Sequence, residues 1–283
     1  MKLFNKNTPK QEQISSEKPI CVTGDLHYGI TSEETIKKLA EEILSKNPKG
    51  VVLAGDLGEP LSNFERCLDL FKKFSCPVGV VAGNHDVWNR DKKIRSIDLW
   101  EKYLPKAIKD RGFVNLEEDN IITDSLAICG SILWYDYSVF KDQLKNGYDV
   151  YLAEKKEKYN NDGNFIDWNK KDISFAKELL DRLLKRLDKL EKNPAVKEII
   201  VVTHVPAFPC QRVVEKGDST TADAYFYNYT AGEEFIKYSK IKTLVSGHTH
   251  RKVSCEVIKA NGKTIDVKVY PGDYRAPDYL MLR

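Results

Sequence analysis

Five short segments of the chain combine Asp, Asn and His in a way that suits a metal centre. They are Asp25-Leu26-His27, Gly55-Asp56, Gly83-Asn84-His85-Asp86, Thr203-His204 and Gly247-His248-Thr249-His250. Singly each is a weak signal, because Asp-x-His and Gly-Asp commonly mark turns. Jointly they absorb all five histidines of the 283-residue chain, so no background histidine is left elsewhere. Carboxylate and amide oxygens with imidazole nitrogens, and no thiolate among them, suit Mn, Fe or Zn rather than a closed structural zinc site. About seven such ligands are too many for one ion. Two ions about 3.5–4 Å apart, bridged by one carboxylate, would use them all, and such a pair clamps both oxygens of an in-line displacement at phosphorus.

Each segment follows an apolar run that reads as a strand, and loops at the carboxyl ends of strands are where α/β sheets build their sites. Glycines beside the polar residues permit the sharp turns that convergence requires. Strands are expected over residues 19–23, 51–54, 78–82 and 126–133, with helices over 31–44 and 62–74. In the first helix Ile36, Leu39, Ala40, Ile43 and Leu44 share a face, and Thr31 with Glu34 can form a capping box. Residues 135–171 break the alternation and read as an insertion with a turn at Asn160-Asn161-Asp162-Gly163. A long helix follows whose stripe from Ala176 to Leu190 lasts too few heptads for a coiled coil and should pack on a sheet. Strands over 198–203 and 243–246, a helix near 233–238, a hairpin around Asn261-Gly262 and a last strand over 279–282 complete the order. Two sheets faced by helices account for it.

Composition sets the wider bounds. The chain is 41% hydrophobic and carries 45 Lys+Arg against 42 Asp+Glu, a net charge of +3. That apolar content excludes a disordered chain. The interleaved charge does not call for nucleic acid or an acidic membrane surface, and no apolar run approaches the roughly 20 residues of a membrane span. Six scattered cysteines without a Cys-x-x-Cys pair read as reduced thiols of a cytoplasmic protein. Residues 1–18 read as a flexible polar tail without the apolar centre of a signal peptide, and 19–283 as one domain.

The ordered set Asp25-x-His27, Gly55-Asp56, Gly83-Asn84-His85-Asp86, His204 and Gly247-His248-x-His250 resembles the calcineurin-like metallophosphoesterase superfamily. The resemblance implies an α/β fold, a four-layer αββα sandwich of two mixed β-sheets flanked by helices. It implies a phosphodiesterase or phosphatase using two divalent metal ions, Mn2+, Fe2+/Fe3+ or Zn2+, and a metal-bridging hydroxide as nucleophile. Asp25, His27, Asp56 and His250 would hold the first ion. Asp56 would bridge to the second, completed by Asn84, His204 and His248. His85, oriented by Asp86, would face the leaving group. One departure stands out: Glu59 occupies a position where the family often has Asp or Asn, which points to tuning of the site.

Trp134-Tyr135-Asp136-Tyr137-Ser138 resembles a segment of a bacterial branch of uncharacterised family members, and fits an aromatic plug beneath an insertion equally well. The insertion and the aromatic loop 205–230 are long enough to be lids or pocket walls. Their aromatic residues suit a small phosphoester with a nucleotide-like or other organic leaving group and suit core packing equally, while the Lys-rich run 141–158 reads as a solvated face. Two rival readings are a nuclease acting on DNA or RNA, disfavoured by the balanced charge, and a non-catalytic scaffold, disfavoured by the complete ligand set. The sequence leaves the oligomeric state open.

Overall fold

The computed structural model describes residues 18–212, 220–259 and 261–282, so the tail expected over residues 1–18 lies almost wholly outside the described residues. From the amino end the elements are β1 (Ile20–Thr23), α1 (Glu33–Ser45), β2 (Gly50–Ala54), α2 (Leu61–Asp69) and β3 (Val78–Val81). Next come α3 (Ser96–Asp98), α4 (Leu104–Asp110), β4 (Val114–Asn115), β5 (Ile121–Thr123) and β6 (Leu126–Ser131). The insertion holds α5 (Lys141–Leu144), α6 (Tyr148–Tyr159) and α7 (Asp162–Phe165) and leads into α8 (Asp172–Lys192). The chain ends with β7 (Glu198–Thr203), α9 (Tyr229–Phe235), β8 (Ile241–Ser246), β9 (Val253–Ile258), β10 (Thr264–Val269) and β11 (Tyr279–Leu282).

Two mixed sheets result, one in the order β11-β1-β2-β3-β4 and one in the order β5-β6-β7-β8-β10-β9. Strands β1 to β4 run parallel, as do β6, β7, β8 and β10, while β5, β9 and β11 join antiparallel at the edges. Alternation along the second sheet shows how the layers stack. Ile128, Ile200, Val202 and Val245 bury against the first sheet, in one core with β1 to β3, α1 and α2. Their neighbours Ala127, Cys129, Ile199, Val201 and Leu244 face the other way, onto Leu183, Leu187 and Leu190 of α8 and Phe235 of α9. Helix, sheet, sheet, helix is the four-layer sandwich expected.

Local differences have local causes. Helix α1 is capped by Ser32, whose side chain accepts from the Thr35 N–H, rather than by Thr31. Thr31 is instead buried, its hydroxyl accepting from the Arg275 N–H at 3.2 Å. Helix α2 stops at Asp69, short of residue 74, and the remainder forms turns. Strands β4 and β5 were not expected, being only two and three residues long. Periodicity cannot register such pieces. The aromatic segment after β6 is a plug, with Trp134, Tyr135 and Tyr137 at most 2% exposed. The expectation of reduced thiols is also overturned: Cys210 and Cys255 form a disulfide, and among the described residues Cys21, Cys67, Cys76 and Cys129 are free. The two partners are 45 residues apart. Their pairing depends on the turn after β7 folding onto the edge strand β9, which spacing alone does not reveal.

Candidate metal centre

Parallel strands of both sheets deliver the site. Loops leaving β1, β2 and β3 carry Asp25 and His27, Asp56, and Asn84 to Asp86; loops leaving β7 and β8 carry His204, and His248 with His250. The backbone has to bend sharply to turn these side chains inward. Asp25, His27, Asp56, His248 and His250 all have φ between 43° and 68°. Left-handed backbone is uncommon outside glycine and clusters at functional sites, where the surroundings enforce it. Here the enforcement is visible: Asp25 N–H donates to the Gly55 carbonyl at 2.9 Å and His27 N–H to the Asp56 carbonyl at 2.8 Å. Gly83 and Gly55 allow the close approach. A Cβ on Gly83 would lie 2.0 Å from Asp56 Oδ1, and one on Gly55 2.4 Å from His204 Nδ1.

Two groups of donor atoms converge within 4.8 Å of one another, Asp25, His27, Asp56 and His250 in one and Asp56, His204 and His248 in the other. Asp56 belongs to both. Its Oδ2 is 3.8 Å from His27 Nε2, and its Oδ1 is 3.4 Å from His204 Nε2. In the first group His27 Nε2 and His250 Nε2 stand 3.2 Å apart, and Asp25 Oδ1 lies 3.9 Å from His250 Nε2. Beside the second, Asn84 Oδ1 is 3.0 Å from His204 Nε2.

The donor chemistry fits cations. His204 Nδ1 lies 3.0 Å from the Ala54 carbonyl, so one N–H belongs there and Nε2 is the atom turned to the centre, where a cation would displace the proton that Asp56 favours on it. His248 does the reverse, with Nε2 3.2 Å from the Tyr225 carbonyl, which frees Nδ1. Outer hydrogen bonds of this kind fix the tautomer of a ligating imidazole. Asp25 and Asp56 are at most 1% exposed, a costly placement for carboxylates without positive charge nearby. Burial raises the Asp25 carboxyl above its usual range. Burial pushes Asp56 the same way, but the imidazoles of His204, His85 and His27 outweigh it and hold Asp56 well below that range. His204 shows the partner effect: burial would lower it, yet Asp56 lifts it to about 9. His248 is driven down to about 3 by burial.

His85 belongs to neither group. Its ring stacks on Trp88 at 3.6 Å, its backbone N–H donates to Asp56 Oδ1 at 2.9 Å, and burial lowers its pKa to about 3. Asp86 does not orient it. That carboxylate accepts from the N–H groups of Leu57, Gly58 and Gly83 at 2.8 to 3.0 Å, tying the β2 loop to the β3 loop. The group beside His85 Nδ1 is Glu59, whose Oε1 is 3.9 Å away and is held by Arg90 Nε at 2.9 Å. Burial raises Glu59 to about 7.

Sequence reasoning missed other neighbours. Tyr274 packs on both His27 and His250 at 4.5 Å, and Asp273 Oδ1 is 3.4 Å from His250 Nδ1. Both lie in the loop after β10, and the Gly272-Asp273 pair at a strand end was a signal of the same kind as Gly55-Asp56. A cavity of about 460 Å³ opens over the centre, lined by Trp88, Arg90, Tyr159, Phe226 and Tyr274 among others. Tyr159 ends α6 of the insertion and Phe226 lies in the 205–230 loop, so both segments do form pocket wall.

Buried carboxylates among imidazoles, gathered at the carboxyl ends of strands from two stacked sheets, define a metal-dependent hydrolase site. Residues 18–252 match the calcineurin-like phosphoesterase family, and the chain belongs to that family of phosphoester hydrolases. Among similar proteins, the uncharacterized protein L509 of Acanthamoeba polyphaga mimivirus is 27% identical over 221 residues, covering 72% of this chain and 74% of the viral protein. The acyl-carrier-protein phosphodiesterase PptH of Mycobacterium tuberculosis is 28% identical over 135 residues, 45% of this chain and 41% of that protein. The crystal structure of that phosphopantetheinyl hydrolase superimposes with a TM-score of 0.70 at 19% identity, covering 94% of this chain and 97% of its own. A dimetal phosphatase from Danio rerio gives 0.55 at 13% identity, covering 88% and 86%. These structural likenesses bear on the fold. The family and the Asp/His cluster together indicate a dinuclear divalent metal site.

Proposed function

We propose that the chain hydrolyses phosphodiesters of organic alcohols, with Asp25, His27, Asp56 and His250 holding one divalent ion and Asp56, Asn84, His204 and His248 the other. The observation that carries this is Asp56, one buried carboxylate whose two oxygens face the two donor groups. Divalent ions held there supply Lewis acidity, polarising phosphoryl oxygens and bringing the ionisation of water near neutral pH. The chain does the rest. Burial lowers the basicity of His85, and an anionic substrate beside it would raise that basicity again, so that a protonated His85 could pass its proton to the departing oxygen and return to neutral imidazole. Glu59, with Oε1 3.9 Å from Nδ1, is the carboxyl nearest to that side of the ring and could pair with it once the ring is protonated.

The pocket wall supports a diester over a monoester. Arg90 is the one Lys or Arg among the described residues lining the cavity, and Glu59 already pairs with it. A dianionic monoester needs more cationic partners than a monoanionic diester. A nucleic-acid track needs a row of cations, which the described residues of this wall lack. The aromatic residues offer surface to an organic group. The mycobacterial relative's name supports a phosphopantetheinyl diester as the first natural substrate to test. The test compares metal-reconstituted protein on an aryl phosphodiester, the matching monoester and holo-acyl carrier protein. Faster turnover of the diester is expected; hydrolysis confined to monoesters would make the chain a phosphatase, and none on any of them would refute the reading.

A further inference from the structure

The insertion sends one carboxylate into the metal centre's immediate surroundings. Asp162 opens α7 and is 1% exposed. Its Oδ1 accepts from Asn84 Nδ2 at 2.8 Å and from Trp88 Nε1 at 2.7 Å, and its Oδ2 accepts from the Tyr135 hydroxyl at 2.9 Å. Its own N–H donates to Asn160 Oδ1 at 2.7 Å. On the far side of the same amide, Asn84 Oδ1 is 3.0 Å from His204 Nε2.

We propose that Asp162 is a positioning residue for the second ion, acting by deciding which end of the Asn84 carboxamide faces the centre. The proposal rests on the assignment of Asn84 as a ligand made above. The two ends of a carboxamide have nearly the same shape and opposite chemistry. Turned over, Asn84 would aim two N–H donors at a cation. Both Asp162 oxygens are already used as acceptors, Oδ1 from Asn84 and Trp88 and Oδ2 from Tyr135, so it is the NH₂ end of Asn84 that faces Asp162 and the oxygen is left toward the imidazoles. Accepting from the NH₂ group also pushes electron density onto Oδ1, strengthening it as a ligand, as outer carboxylates do for ligating histidines. Trp88 and Tyr135 fix the carboxylate in turn. Trp88 also stacks on His85, so this one cluster links the insertion to both the second ion and the leaving-group side.

A nearby carboxylate shows what a purely structural role looks like. Asp172 accepts from Trp134 Nε1 and Lys156 Nζ at 2.7 Å and from the Tyr137 hydroxyl. No member of the metal groups is among those donors.

The test titrates Mn2+ into metal-free wild type, Asp162→Ala, Asp162→Asn and Asp172→Ala by calorimetry, with thermal melts alongside. In Asp162→Ala one of the two equivalents should lose about 10–100-fold in affinity while the other is unchanged. Asp162→Asn, which keeps an acceptor for Asn84, should recover part of the loss, and Asp172→Ala should lose melting temperature but bind both ions as wild type does. Wild-type binding by Asp162→Ala overturns the proposal, as does an equal loss in Asp172→Ala. Should Asp162→Ala not fold, a metal-loaded wild-type crystal structure decides: Asn84 Oδ1 on the second ion with Nδ2 still on Asp162 is expected, and a released Asp162 or a turned amide contradicts it. Failure of wild type to bind two ions would sink the functional reading and this proposal with it, whereas normal two-ion binding in Asp162→Ala sinks this proposal alone.

Discussion

The His85 ring, its Nε2 3.9 Å from Asp56 Oδ2, and the Asp56 carboxylate have separable jobs. Because His85 belongs to neither donor group, His85→Ala should bind both ions as wild type does while turnover falls about 10²–10⁴-fold, the usual worth of a positioned proton donor. Calorimetry beside steady-state kinetics checks this, and equal loss of metal would contradict the assigned role. Asp56→Asn, by contrast, should weaken both metal positions together, since each of its oxygens faces one group; selective loss of one ion argues against a bridge. Residue types made this part of the site legible: all five histidines, Asp25, Asp56 and Asn84 do meet at the strand ends. Asp86 was misread because adjacency to His85 suggested contact, whereas the 3₁₀ turn over His85–Val87 points its carboxylate back at three backbone N–H groups. Asp162 carried no signal, since its partner Asn84 lies 78 residues away.

Among the elements, the junction of β4 and β6 holds a carboxylate with a measurable consequence. Glu117 follows β4 and accepts from the Ser131 hydroxyl at 3.0 Å and from the Ile132 N–H, at the end of β6. Burial raises its pKa from 4.5 to about 6, against the pull of those donors and of Arg186. A carboxyl with a folded pKa above its unfolded one holds its proton more tightly when folded, so stability falls as pH rises from about 4.5 through about 6. Glu117→Gln lacks this titration. Relative to wild type it should gain up to about 2 kcal/mol between pH 4 and pH 7, read from denaturant unfolding; a pH-independent difference would contradict the burial argument. The long elements were legible because their apolar period is sustained, as in α8, β7 and the β9–β10 hairpin. What was not legible was short or closed by distant partners: β4, β5 and the Cys210–Cys255 bond.

At the scale of the whole molecule, the centre exists only where the two sheets meet. The first sheet supplies Asp25, His27, Asp56, Asn84 and His85, the second supplies His204, His248 and His250, and the insertion braces the seam through Asp162 and Tyr159. No helix among the described residues is long and apolar enough to cross a membrane. The balanced charge says as little about substrate in the folded molecule as in the sequence; among the described residues the pocket wall carries aromatic side chains and one guanidinium, that of Arg90, paired with Glu59. The central claim is that this seam binds two divalent ions and hydrolyses phosphoesters because of them. The most direct measurement is a titration of metal-free protein with Mn2+, following bound metal and aryl phosphodiester hydrolysis in the same samples. Hydrolysis should stay near background at one equivalent and rise steeply toward a plateau at two, and be abolished by Asp56→Asn; saturation at a single ion, or turnover indifferent to metal, would contradict the account.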